Sequence, residues 1–128
     1  MAISYKRRAV VSVATDTDFE NLIADRDRTI TDSTSEASTV FVRQLAASAN
    51  VQVDLGEIAT LKALAIEFNA AANLRFGASD ADPVPLKPVS EGQIGFALLE
   101  LETTDGVWLQ NPSSTAAVSV TVVAVGNN

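Results

Sequence analysis

Val118-Ser119-Val120-Thr121-Val122-Val123-Ala124-Val125 is the stretch on which the fold turns. Val118, Val120 and Val122 alternate with Ser119 and Thr121, and Val123 and Val125 extend the run. Period-two patterning in β-branched residues marks a strand. Upstream, Asn111-Pro112-Ser113-Ser114-Thr115 is a cluster of turn formers. Before it, Val107-Trp108-Leu109 makes a short strand, and Thr104-Asp105-Gly106 supplies a tight reversal. Residues 94–102 again alternate apolar with small or acidic positions. Residues 94–125 are therefore expected to form a three-stranded antiparallel meander.

Working outward, residues 77–92 hold Pro83, Pro85 and Pro88 and two glycines. Such a segment is a loop between sheets, or an edge segment that cannot donate to a ladder. Residues 73–76 and 51–55 read as short strands. Segment 57–72 fits two periods. Ile58, Leu61, Ala65 and Phe68 approximate a helical face, and its alanines favour helix. Read with period two, Ile58, Leu64, Ile66 and Phe68 share a face on which Thr60 and Lys62 are misfits. Its neighbours are strands and Gly56 and Asn69 sit where turns belong, so strand is the expectation.

The first fifty residues differ. Residues 9–14 and 38–45 are strand candidates, the second with Val40 and Val42 on one face and Phe41 and Arg43 on the other. The stretch between them is polar, acidic and rich in Ser and Thr. Within it, residues 18–24 could form one or two helical turns capped by Asp16 or Thr17. The expected organisation is an extended N-terminal arm over residues 1–48 and an antiparallel β-sandwich or jelly roll over 49–128, all-β in class, with the alternative that residues 9–14 and 38–45 complete the chain's own sandwich.

The 128 residues carry nine Lys+Arg against sixteen Asp+Glu, a net charge of −7. That acidity opposes a general nucleic-acid role, because phosphate binding needs a basic face. No apolar run approaches the ~18–20 residues that span a bilayer, and residues 1–16 lack a signal-peptide apolar region and cleavage site, so neither membrane insertion nor export is expected. Cys and His are both absent. This removes disulfides, thiolate metal sites, thiol catalysis and the Ser-His-Asp triad.

Charge is uneven along the chain. Lys6, Arg7 and Arg8 make a basic tip with no acid in residues 1–8, whereas residues 16–36 hold seven acids against Arg26 and Arg28. A basic, partly apolar segment suits an acidic partner surface. Lys6, Arg7, Arg8, Val10, Val11, Arg26 and Arg28 are the candidate partner-binding residues.

The remaining motifs are weak. Asp16-x-Asp18-x-Glu20 opens like a calcium loop, but Asn21 stands where the sharp turn needs Gly and Asp27 where a bidentate Glu is required. Asp80 and Asp82 share that weakness. Glu100 and Glu102 lie ~7 Å apart on one strand face, yet a glycosidase pair also needs a sugar cleft with aromatic platforms. Gly92-Gln93-Ile94-Gly95 has no phosphate-loop spacing. Trp108, the only indole, reads as a core residue in preference to a ligand platform. No catalytic residue, metal ligand or cofactor is expected.

The order from Gly56-Glu57-Ile58 through Leu74-Arg75-Phe76-Gly77, a Pro-rich loop, residues 94–102, Val107 to Ser113 and the valine-rich ending resembles the small jelly-roll or β-sandwich proteins of tailed-phage virions, particularly capsid decoration (cement) proteins. The resemblance covers roughly residues 50–126 and consists of strands and turns, so it transfers no site residues. It implies a non-enzymatic virion protein, assembled in the host cytoplasm, that binds the major capsid protein or another virion protein, commonly as a trimer. A tail, fibre or neck accessory module is the alternative. A carbohydrate-binding β-sandwich is a third reading, disfavoured by the scarcity of aromatics.

Overall fold

The computed structural model describes residues 3–18, 20–77 and 82–128. Every regular element among them is a strand: β1 (Ile3–Ala14), β2 (Leu22–Ser35), β3 (Ala37–Leu45), β4 (Asn50–Gln52), β5 (Thr60–Phe68), β6 (Ala72–Arg75), β7 (Val84–Leu86), β8 (Gly95–Thr103), β9 (Trp108–Gln110) and β10 (Val118–Asn127). The chain divides into two compact units, residues 1–35 and 36–128.

The larger unit is an antiparallel β-sandwich of two four-stranded sheets, ordered β3-β10-β5-β8 and β4-β9-β6-β7. Its pairing is nested. β3 pairs with β10, β4 with β9, β5 with β8 and β6 with β7. The unit is thus one long hairpin, turned between β6 and β7 and rolled up. Pairing of β10 with β5 and of β9 with β6 then closes the two sheets.

This corrects the expected meander over residues 94–125. The three strands are present, but none pairs with another. β8 and β10 flank β5 in one sheet, and β9 lies in the other. The reversal at Thr104-Asp105-Gly106, where the Asp105 amide donates to Thr103 Oγ1 at 3.0 Å, carries the chain between layers. Each strand finds its partner far along the chain, so adjacency misleads.

The core lies between the sheets. β10 sends in Val118, Val120, Val122 and Ala124, and β5 sends in Leu64, Ile66 and Phe68; Leu74 and Leu109 meet them from the opposite layer. Each of these side chains other than Ala124 contributes about 1.5–3 kcal/mol when removed from water. Segment 57–72 is strand from Thr60 to Phe68, as period two implied. Its two misfits have a cause: Leu61 to Ala63 spans one residue more than Val125 to Gly126 opposite, so Lys62 is a bulge residue against β10 and Leu61 turns inward. Opposite the bulge stands Gly126, where a Cβ would collide with the Thr60 carbonyl and the Ile58 side chain. Pro85 sits on edge strand β7 opposite Asn73, a position that needs no ladder donor.

Asn111 is a buried polar clamp. Its Nδ2 donates to the carbonyls of Leu45, Ala46 and Ala116 at 3.2, 3.1 and 2.8 Å, and its Oδ1 accepts from the Ser113 amide at 3.0 Å. One side chain therefore ties the end of β3 to the turn that feeds β10.

Residues 36–48 do not belong with the arm expected over 1–48. β3 is an edge strand of the sandwich, held to β10 along its whole length, because its alternating residues complete a core face. Phe41 packs against that core while Val40 and Val42 face out.

The smaller unit is a two-stranded antiparallel ribbon, β1 with β2. Of the helical turns expected over 18–24, Phe19 lies outside the described residues, and Leu22 to Ala24 belong to β2, opposite Ala14 and Val13. Asp16 does cap, but it caps the reversal. Its Oδ2 and Oδ1 accept the amides of Glu20 and Asn21 at 3.1 and 2.9 Å.

Candidate functional site

The outer face of the β3-β10-β5-β8 sheet is built by the positions that alternate with the core. Register aligns them in rows across four strands. One row is Val40, Val123, Ala65 and Leu98, and the next is Val42, Thr121, Glu67 and Phe96. Val40, Val42 and Phe96 are 64%, 72% and 59% exposed, and Ile94 beside them is exposed too. A shallow groove of 540 Å³ continues the face past Val42, Glu67, Asn69, Ile94 and Thr121. A contiguous apolar patch of this kind on a polar-rimmed sheet marks an interaction surface.

The outer face of the other sheet is polar. Asn50, Gln110, Asn73 and Pro85 form one row, and Gln52, Trp108 and Arg75 the next. Trp108 is half-buried there, and a Cβ on Gly106 would strike its ring, so the indole lies under a close backbone. At one end of the sandwich a cleft of 490 Å³ is lined by Gln52, Asp54, Thr103 and Asp105. Two of its polar groups close their own turns, since Asp54 Oδ1 accepts the Gly56 amide at 2.9 Å and Thr103 Oγ1 accepts that of Asp105.

The sequence-derived binding residues all fall on the ribbon, divided between its faces. Directly opposed residues in an antiparallel pair share a face. Val11 opposes Arg26, Ala9 opposes Arg28, and Tyr5 and Val13 lie on that side with Arg7. Arg7 packs its guanidinium over the Tyr5 ring at 5.5 Å and donates to the Tyr5 hydroxyl at 3.2 Å. Lys6, Arg8 and Val10 lie on the other face with Asp25 and Asp27. There Arg8 pairs with Asp27 at 3.1 Å, and that hydrogen bond and charge hold the guanidinium pKa above its ordinary value. The basic residues 6–8 are therefore no loose tip, because each opposes a residue of β2. Val10 and Val11 are both exposed, Val11 at 61%.

The weaker motifs are placed as follows. Asp16 spends both carboxylate oxygens on backbone amides, which lowers its pKa, Asn21's amide contributing most. Asp27 is engaged with Arg8. Glu100 and Glu102 stand on edge strand β8, exposed. Asp82 is exposed, and Asp80 lies outside the described residues. No group of three or more Asp or Glu suited to a metal ion occurs among the described residues.

Sequence reasoning missed the apolar sheet face. A signal was present: Val123 breaks the polar set Ser119 and Thr121, and Phe96 and Leu98 share their parity with Glu100 and Glu102. Only the register shows that these apolar positions, and Val40 and Val42, fall in adjacent rows. No protein-family profile, curated protein or solved structure matches this chain.

Proposed function

We propose that this protein is a non-enzymatic virion structural protein of the capsid decoration type, which adheres to a tailed-phage head through the outer face of the β3-β10-β5-β8 sheet. The observation that carries the reading is that face: apolar, contiguous and exposed, on a layer whose inner face is already a full core. The strand order supports it. Numbered from β3, the eight strands run 1-8-3-6 and 2-7-4-5, the wrap of a jelly roll, an architecture frequent in capsid and lectin domains. Fold alone does not assign function; the adhesive face makes the case for assembly.

The apolar rows would supply affinity by burial, with Glu67 and Glu100 orienting the partner at encounter. The partner is the major capsid protein or another virion protein, the protein acts as a homo-oligomer, a trimer in this reading, and its location is the virion assembled in the host cytoplasm. The test is addition of purified protein to heads that lack it, followed by electron microscopy. Regular density on the head surface that disappears with Val42→Glu supports the reading. Failure of the unsubstituted protein to bind heads overturns it.

A further inference from the structure

The turn between β8 and β9 holds Asp105-Gly106, the sole Asp-Gly pair in the sequence, and no asparagine precedes a glycine. Glycine stands at 106 for room. Its φ is not left-handed, yet a Cβ there would sit 2.6 Å from Cζ3 and Cη2 of Trp108 and 3.0 Å from Nε2 of Gln52. Packing of the only indole therefore demands the one residue type that brings no side chain to crowd its own peptide nitrogen. We propose that Asp105-Gly106 is a self-modification site: Asp105 isomerises to isoaspartate through a cyclic imide, and the product pulls Gly106 off the Trp108 ring.

The reaction needs only water and the chain itself. The Gly106 peptide nitrogen attacks Cγ of the Asp105 carboxyl in its acid form. The N–Cγ bond forms, the bond from Cγ to the hydroxyl breaks, and the hydroxyl leaves as water with the proton that the nitrogen gives up. The five-membered imide then takes back one water. Opening at the Cγ–N bond restores aspartate. Opening at the bond between the Asp105 main-chain carbonyl carbon and the nitrogen leaves a free α-carboxylate, with the chain now running through Cβ and Cγ. Nothing is oxidised or reduced, and the mass is unchanged.

The local structure leaves this route open. Asp105 is exposed, and among the described residues its hydrogen bond runs from the amide to Thr103 Oγ1, so the carboxylate carries none. The Gly106 amide donates to no group among the described residues. Other aspartates are held: Asp16 and Asp54 accept backbone amides, Asp25 accepts from Ser12 Oγ and Asp27 from Arg8. The product matters because both ends of the turn are fixed. Thr103 pairs with Leu61, and the carbonyl of fully buried Val107 accepts the Val53 amide at 2.8 Å. One added backbone carbon, about 1.5 Å of chain, must bow out between them, and Gly106 moves with it. The turn carries none of the rows of the proposed head-binding face, so this inference does not depend on that reading.

The experiment is incubation of the folded full chain at neutral pH and physiological temperature, sampled over weeks. Part of each sample is denatured and digested with a protease that cuts before aspartate and not before isoaspartate. The rest is kept intact for tryptophan emission and the melting midpoint. Cleavage at position 105 is lost progressively with no change in mass, while the other aspartates stay fully cut. In step with that loss, the emission shifts towards that of a more exposed indole and the midpoint falls. Asp105→Asn converts faster, because an amide loses ammonia more readily than a carboxyl loses water. Asp105→Glu, which would have to close a six-membered ring, keeps its emission and midpoint throughout. Complete cleavage at position 105 in every sample overturns the inference, as does equal loss at another aspartate. So does an isomerised fraction with the emission and midpoint of the starting protein, or an Asp105→Glu protein that drifts as the parent does.

Discussion

The two sheets of the sandwich present the same chemistry inward and opposite chemistries outward. Inward, β5 and β10 offer Leu64, Ile66 and Val122, and β6 and β9 offer Leu74 and Leu109, all fully buried or nearly so. Outward, one sheet shows Val40, Val42, Phe96, Leu98 and Val123, and the other shows Asn50, Gln52, Asn73, Arg75 and Gln110. A strand that covers a core needs apolar residues at every second position only. The outward apolar rows therefore contribute little to folding, and their chemistry belongs to whatever covers them.

The largest effect tests the inward equivalence. Leu64→Ala under the apolar face and Leu109→Ala under the polar face should each destabilise by about 2–5 kcal/mol in denaturant unfolding. A Leu109→Ala protein as stable as the parent would show that the second sheet is not an equal half of the core.

Next comes the clamp that joins strand β3, which carries Val40 and Val42, to the turn before β10. Asn111→Ala leaves the carbonyls of Leu45, Ala46 and Ala116 without this donor, and should cost about 1–3 kcal/mol. An unchanged melting midpoint would mean that water replaces the amide without loss.

A smaller effect separates the outer faces. Val42→Lys and Gln52→Lys should both change stability by no more than about 0.5 kcal/mol, since both positions are exposed. Light scattering should register a loss of association for Val42→Lys alone. Equal loss from Gln52→Lys would erase the contrast between the two faces.

The smallest effect belongs to the ribbon. Amide hydrogen bonds hold the Asp16 pKa below its ordinary value of 3.8. A depressed carboxylate pKa gives stability that is present above the ordinary value and lost as pH falls through the lowered one. The protection of the Glu20 and Asn21 amides, taken relative to the intrinsic exchange rate at each pH, should therefore fall only as pH drops below the ordinary carboxylate value, and Asp16→Ala should abolish that protection at neutral pH. Exchange that ignores both changes would remove Asp16 from the turn.

Much of the fold was legible wherever one strand face is buried. β10, β5 and β3 carry the period-two signal because alternate residues enter the core, and the misfits in β5 are the trace of the Lys62 bulge. β2 was not legible. Asp25, Arg26, Asp27 and Arg28 are exposed on both of its faces, so no hydrophobic period exists to read. Pairing was hidden for another reason: strand propensity is local, but β8 pairs with β5 and β10 with β3 across long separations. The candidate site depended on that pairing. Val40, Val123, Ala65 and Leu98 come from four separate segments, and only the register makes them one row.

The central claim is that the outer face of β3-β10-β5-β8 is covered in the assembled state. A photo-crosslinking residue placed at Phe96, and in a second protein at Gln52, tests it directly when each is irradiated in the assembled state and the products are mapped by mass spectrometry. The account predicts bonds from position 96 to another chain and none from position 52. Position 96 free of inter-chain products, or position 52 yielding as many, would contradict it.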